Sequence, residues 1–417
     1  MAIKGDFLSF KFGDWDCADL GIVRTSDGDR IEEQLQPEIK DITAEVPGMH
    51  GEYYFGSTYG SKPITVSFAF DEMTEIQFRR MRQVFAWGQM QKLIFSERPY
   101  KYYQAKIESP IELSYVCFER PKQVLTEVEG IPYNDGNTYS TTHQVWRDGS
   151  GTERIYKGEG TIEFICYFPF AKSCYKALPE VTTAEKDPYS DDYNPYVANI
   201  DEWAESSGML TKEKRLDPQI NVDNYIPRDE SEISPEKKAE EEAKGIFNVG
   251  FLKLYNPGDI ETGVRIYCPF KTLVTSATIN EETGEEVPAT YREHSYSNGL
   301  TLIYRYNDNY LHSNEEAVWR ELARLTFKPI TTPLNELEKG FIIDTNTGLI
   351  TGVITEPLED INGNVEYKTD GILYNQFIEN GQFFKIQPND YQYTYQTMIA
   401  VVNGNEDMQI FYDYLYF

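Results

Sequence analysis

Residues 46–68 read VPGMHGEYYFGSTYGSKPITVSF. Glycines at 48, 51, 56 and 60, a run of aromatic residues and His50 stand close together here, and the stretch then enters an apolar segment. Two readings compete. A phosphate-binding loop needs closely spaced glycines between a strand and a helix, so that the helix amino end faces the anion. Here the last glycine is followed by Pro63 and ITVSFAF, in which Ile64, Val66, Phe68 and Phe70 alternate. That is the period of a half-buried strand. Without a helix behind the glycines the phosphate reading fails, and the stretch reads as a turn-rich region of a β domain. His50 adds no chemistry: the four histidines, at 50, 143, 294 and 312, have no metal-ligand spacing.

Downstream, Thr74 followed three residues later by Gln77 is a capping-box signal. Phe78, Met81 and Phe85 then recur at helical spacing, with Arg79, Arg80 and Arg82 on the other side. The pattern predicts the one clear helix of the first half, about 74–87, stopped near Gly88. KLIFSE and KYYQAKIES read as strands around a turn at Arg98-Pro99, and GEGTIEFICYFPF (158–170) as a strong strand. Between them, 118–153 is polar and turn-rich, a long excursion or an exposed hairpin.

Residues 176–244 change character. Runs such as PRDESEISPEKKAEEEAKG are highly charged and poor in apolar residues, which predicts a linker or projecting arm, in part disordered and dispensable to its neighbours. Short helices fit NIDEWAESSGML and SPEKKAEEEAK. From Gly245 strand patterns return at sandwich-like spacing, among them FNVGFLKLYNPGDIETGVRIYCPF, LTLIYRYN and TMIAVVNGNEDMQIFYDYLYF. EEAVWRELARL reads as one or two helical turns at the edge. The fold class expected is mainly β: an N-terminal domain over 1–175 with one helix, the acidic segment 176–245, and a C-terminal β-sandwich over 246–417.

At 417 residues the chain is long enough for two or three domains with cores of their own. Its formal net charge of −29 excludes a binder of the phosphate backbone, which needs a basic footprint. Five cysteines without a CxxC pair argue for reduced thiols. No stretch has the apolar length of a membrane span, and the start MAIKGDFLSFKFG alternates like a strand with no apolar signal core, so no membrane insertion is expected. The 31 tyrosines suit pleated, half-buried surfaces.

The order of segments resembles the distal tail proteins of long, non-contractile phage tails. The resemblance rests on Pro47-Gly48 with Gly51, Tyr53-Tyr54, Tyr59-Gly60 leading into an alternating strand, the helix with Phe78, Met81 and Phe85, KLIFSERPYKYYQAKI, and GEGTIEFICYFPFA. In the second half it rests on NVGFLKLYNPGDIETGVRIY, FIIDTNTGLITG and GQFFKIQPND. It covers most of the chain apart from 118–153 and 176–244. The acidic segment and the second half are both longer than the family pattern. The resemblance implies a ring-forming first domain, a galectin-like or jelly-roll outer sandwich, and a homohexamer at the distal end of the tail tube. It implies contacts with the tail tube protein, a tail-tip or tail-associated protein, and receptor-binding or other baseplate proteins. DNA would be passing cargo in the lumen. The location implied is the virion tail tip, after assembly in the host cytoplasm. It also makes Tyr53, Tyr54, Tyr59, Phe78, Met81 and Phe85 candidate ring-interface residues.

Other function classes find less in the sequence. No serine elbow, HExxH or histidine-containing triad order is visible, and DTNTG (344–348) is a common β-turn pattern. No catalytic residue, metal site or cofactor is expected. A carbohydrate-binding module is the alternative; it needs an aromatic platform, for which Trp319 is the sole tryptophan of the second half. The acidity has two readings, a negative channel wall that lets DNA slide and an outer charge that keeps the protein soluble.

Overall fold

The ITVSFAF segment is the spine of the first half. Lys62–Thr74 is a single strand in which Ile64, Val66, Phe68 and Phe70 are buried and the residues between them are partly exposed. Burial of one side fixes its register, because a slip of one residue would turn every apolar side chain to the other face. The computed structural model describes residues 8–25, 32–33, 36–45, 50–86, 88–129, 142–202, 209–211, 225–276, 278–279, 286–287, 289–307, 319–331, 333–359, 365–389 and 397–417.

The principal elements of the first half are β1 (Phe10–Phe12), β2 (Ile22–Arg24), β3 (Ile39–Glu45), β4 (Glu52–Tyr59), β5 (Lys62–Thr74), α1 (Glu75–Phe85), β6 (Gln91–Phe95), β7 (Lys101–Ile107), β8 (Glu112–Glu129) and β9 (Thr142–Cys166). Antiparallel pairing gives the sheet order β1–β6–β7–β9–β5–β2, with β8 also on β9. The pairing of β9 with β5 begins at Ile155. Before that residue β9 pairs with β8 alone among the described residues, so 119–129 and 142–154 run out of the sheet as a two-stranded hairpin. The polar excursion expected there is this hairpin; 130–141 lie outside the described residues.

The capping box forms as the sequence predicts. The Thr74 hydroxyl accepts from the Gln77 amide at 3.4 Å, and the Gln77 side-chain oxygen accepts from the Thr74 amide at 3.0 Å. The helix buries Phe78, Met81, Val84 and Phe85. Phe78 stacks on Tyr156 with centroids 4.2 Å apart, and Phe85 meets Phe68 at 5.9 Å and Phe10 at 6.5 Å. Burying a side chain of this size contributes about 1.5–3 kcal/mol, so the arginine-rich side of α1 is left to face water. The candidate interface residues Phe78, Met81 and Phe85 are therefore buried within the first unit.

The second half contains α2 (Pro235–Ala243), β10 (Val249–Leu254), β11 (Arg265–Pro269), β12 (Leu300–Asn307), β13 (Trp319–Phe327), β14 (Gly340–Asp344), β15 (Leu349–Val353), β16 (Thr369–Leu373), β17 (Ile378–Gly381), β18 (Thr397–Val402) and β19 (Gln409–Phe411). One antiparallel sheet runs Tyr225–Pro227, β10, β18, β12, β13, β17; a second runs β16, β15, β14, β11, β19. Leu252, Leu302, Ile399 and Val401 of the first are buried, as are Ile266, Ile343 and Ile350 of the second. Rings of Phe270, Tyr296, Phe341 and Tyr374 pack at 5.3–6.3 Å. The protein is mainly β, as the sequence predicts. DTNTG is the turn from β14 to β15: Asp344 accepts from the Asn346 and Thr347 amides, and Gly348 adopts φ +69°.

Two expectations change. EEAVWRELARL is not helical where it is described: Trp319–Phe327 is a strand paired with both β12 and β17. Ala323, Leu325 and Phe327 are buried at every second position, so packing overrides the local helix preference of Glu, Ala and Leu. The segment 176–245 is also not a free linker where it is described. The chain divides into a unit of Met1–Ala171 with Thr183–Ala198 and a unit of Lys172–Thr182 with Asn199–Phe417. Leu178, Tyr196, Val197, Ile200, Met209 and Leu210 are all buried, and the Leu178 amide donates to the Leu210 carbonyl at 3.1 Å. Helix α2 is tied down by a two-pronged bond from Arg228 to Glu241, at 2.7 and 3.2 Å. A few well-placed apolar residues anchor a segment whose average composition is that of an arm.

Candidate interaction surface on the β3–β4 hairpin

Strands β3 and β4 pair only with each other among the described residues. Ile39 faces Tyr59, Asp41 faces Ser57, Ile42 faces Gly56, Thr43 faces Tyr54, and Ala44 faces Tyr53. The register shifts between Ile42 and Thr43, which makes Phe55 the extra residue of a β-bulge. Gly56, next to it, has φ +130°, a conformation side-chain-bearing residues rarely adopt. This is what the glycine of GEYYFGSTYG does: it lets the strand absorb an extra residue. Pro47 and Gly48, which the sequence also singles out, lie outside the described residues.

Residues opposite each other in a hairpin share a face, so the register sorts its side chains. One face carries Asp41, Ser57 and Tyr54, joined by hydrogen bonds of 2.6 Å from Ser57 to Asp41 and 2.5 Å between the Ser57 and Tyr54 hydroxyls. At its base the Tyr59 ring meets Phe170 edge-on at 5.0 Å, and the Gly60 amide donates to the Glu38 carbonyl at 2.6 Å. The other face carries Ile42, Ala44 and Tyr53, with the Phe55 ring 6.5 Å from that of Tyr53. Ile42 and Tyr53 are each 50% exposed and Phe55 68%. A two-stranded hairpin is marginal in water by itself, and an exposed apolar face with open strand edges is the kind of surface that partners cover.

The structure thus separates the six candidate interface residues. Tyr53, Tyr54 and Tyr59 stand exposed on one hairpin, while Phe78, Met81 and Phe85 are buried. Sequence reasoning missed Ile42 and Phe55. The signal was present in EYYFG, where strand alternation alone puts residues 53 and 55 on one side; the bulge instead brings Tyr54 and Ser57, three residues apart, together on the other.

The main sheet offers a second surface of a different kind. Its inner side packs on α1 through Phe68, which meets Phe85, and Phe70, which meets Phe78. Its outer side has a shallow depression of about 400 Å³ lined by Thr25, Ser67, Glu112, Ser114, Glu159 and Thr161. Phe68, Leu113 and Gly160 complete its lining; hydroxyls and carboxylates supply its polar groups, and none of the lining residues is a cation.

Among the described residues no group of three or more His, Cys, Asp or Glu is placed to hold a metal ion. His294 is the most contacted histidine described, but its Nε2 meets both Asp407, at 2.7 Å, and the Thr272 hydroxyl, at 3.2 Å. A catalytic relay needs opposite ring nitrogens for those two roles. His312 lies outside the described residues. Trp319 is partly buried at the start of β13 opposite Asn307.

Residues 16–115 match the family described as phage tail protein RIFT-related domain. This stretch is similar to that phage tail domain. It contains the β3–β4 hairpin, the spine strand β5 and helix α1, so the candidate surface lies within it. Among solved structures the chain is similar to the Dit (gp 19.1) protein of SPP1, described as a paradigm of the hub adsorption apparatus in phages infecting Gram-positive hosts. The TM-score is 0.38 at 10% identity, over 98% of this chain and 99% of that one. It is also similar to a chain of the phage P2 baseplate in its activated conformation with Ca, with a TM-score of 0.27 at 7% identity over 95% and 97%. No curated protein matches the sequence.

Proposed function

We propose that the protein is a structural hub at the distal end of a phage tail tube, in which six copies close into a ring. The observation that supports this reading is the exposed Ile42–Tyr53–Phe55 face on an isolated hairpin inside a phage tail domain. Such a face is self-sufficient only when covered, and a head-to-tail contact between copies that closes on itself gives a ring with no uncovered end. In this reading the ring continues the tail tube at the tail tip and contacts the tail-tip and receptor-binding proteins. The uncovered side of the main sheet lines the channel. Its Ser, Thr and Glu side chains offer DNA no cation to bind, and at physiological salt their repulsion reaches only about 8 Å. A saccharide platform at Trp319 has less to support it, since the ring is partly buried in a paired strand.

Electron microscopy of the purified full chain, and of tail fragments, tests both parts. The expected result is six-fold class averages with a central hole, and a reconstruction in which the Ser67–Glu159–Thr161 face lines that hole. A monomer by light scattering at micromolar concentration, together with tail fragments that show no ring of this protein, overturns the hub. A ring whose lumen is lined by another face overturns the channel assignment alone.

A further inference from the structure

The second unit contains a buried acidic contact that the hub reading does not use. Glu338 closes the 335–338 turn ahead of β14 and is 3% exposed. Its Oε2 accepts from the Asn335 amide at 3.2 Å and from the Tyr374 hydroxyl. Its Oε1 is buried and no donor faces it. That oxygen lies over Gly352 of β15, where a Cβ would come within 1.9 Å of it and within 3.0 Å of Asp370 Oδ1. Two carboxyl groups therefore meet over the one residue whose missing side chain leaves them room.

Asp370, on β16, is supplied with donors: its Oδ1 accepts from the Ile372 amide at 2.9 Å and its Oδ2 from the Asn335 side chain at 3.3 Å. Glu338 is the deprived partner. Two ionised carboxylates in contact and out of water are unfavourable, and the pair relieves this by keeping a proton. We propose that Glu338 and Asp370 share one proton, with Glu338 the acid and Asp370 the carboxylate, and that this bond is a pH-sensitive latch holding the 335–338 turn on the β14–β15–β16 sheet. The proton on Glu338 Oε1 gives the orphaned oxygen its only partner, the Asp370 carboxylate.

The surroundings favour the acid form. Burial pushes the Glu338 carboxyl above the usual range, and the neighbouring Asp370 pushes it the same way, against the Tyr374 and Asn335 bonds. The groups facing it are Asp370 from β16, Tyr374 after β16, Asn335 from its own turn and Gly352, which carries no charge, from β15. The adjacent Lys339 sets its ammonium over the Tyr291 ring, 5.4 Å from the centroid. A carboxyl that is harder to ionise in the folded chain than in the unfolded one contributes stability that is complete at low pH. That contribution is lost as pH rises through the raised value. Above it Glu338 ionises against the Asp370 carboxylate and the turn parts from the sheet.

The test compares melting temperatures of the full chain and of Glu338→Gln between pH 5 and pH 9. Gln supplies a permanent N–H donor where the proton sits. The wild type should lose several degrees relative to Glu338→Gln as pH rises. At pH 6, well above the ordinary Glu value of about 4.3, its infrared spectrum should show a protonated-acid carbonyl band that the variant lacks. Parallel melting profiles with no such band overturn the proposal. Stabilisation of the wild type by added Ca²⁺ that Glu338→Gln abolishes also overturns it, in favour of a bridging cation. If Glu338→Gln does not fold, Asp370→Asn takes its place and should flatten the same pH dependence. If neither folds, the wild-type band at pH 6 decides by its presence or absence.

Discussion

Helix α1 and the β3–β4 hairpin are both aromatic-rich parts of the stretch that matches a phage tail domain, and both supply candidate interface residues. They use those residues in opposite ways. The helix turns Phe78, Met81 and Phe85 inward, where Phe78 stacks on Tyr156 and Phe85 meets Phe68. The hairpin leaves Ile42, Tyr53 and Phe55 outside. The difference is geometric. A helix of eleven residues with an apolar stripe can lie on a sheet and bury the stripe at once. A hairpin with no third strand among the described residues leaves its Ile42, Tyr53 and Phe55 side chains exposed. Aromatic content by itself does not separate a core from an interface; what each element packs against does.

The comparison breaks most sharply at Met81, which is fully buried. Met81→Ala should destabilise the first unit by about 2–5 kcal/mol, through lost transfer energy and the cavity left behind. Urea denaturation measures it. A loss below about 1 kcal/mol would mean that the helix face is loosely packed and free to serve elsewhere.

How far this contrast was legible in the sequence depends on the element. The strand alternation of 62–74, the capping box at Thr74 and the helical stripe each follow from a local period, and each is where the period puts it. The fate of the stripe was not legible, since 3.6-residue spacing says that a face is apolar and not what covers it. The bulge at Phe55 was hidden for a related reason: it exists only in the pairing of two strands. Tertiary pairing likewise turned the helix-favouring WRELARL into β13. In the acidic segment, Leu178, Tyr196 and Met209 are too sparse to register in composition, yet they are buried. Glu338 could not be singled out among so many acidic residues, because its interest lies in Gly352 and Asp370 beside it.

A smaller effect sharpens the helix side of the comparison. Thr74→Ala removes the hydroxyl that accepts from the Gln77 amide and donates to the Gln77 oxygen at 3.0 Å. The cost should be about 1 kcal/mol, read as a shift in the denaturation midpoint without change in its slope, and Thr74→Ser should restore most of it. An unchanged midpoint in Thr74→Ala would show that α1 is held by its buried face alone and owes nothing to its cap.

The smallest change in stability is expected on the hairpin, and there it decides the most. Tyr53→Ser combined with Phe55→Ser replaces two rings that touch each other, 6.5 Å apart, and are at least half exposed. Removing side chains from the surface of one copy changes its stability by about 0.5 kcal/mol or less. If a second copy covers this face, the same rings are desolvated on assembly, and truncating an aromatic anchor costs about 2 kcal/mol or more of binding. Each 1.4 kcal/mol is about tenfold in affinity, and a closed ring repeats the loss at every contact. The variant should therefore melt with the wild type as a separate chain and fail to form rings on a sizing column coupled to light scattering. Tyr54→Phe, on the polar face, is the control: it gives up the bond to Ser57 and should still assemble. Rings that persist in the double variant would remove the hairpin's apolar face from the interface. A variant that unfolds several kcal/mol more easily would show instead that the two rings are packed within their own chain, and the contrast with α1 would disappear.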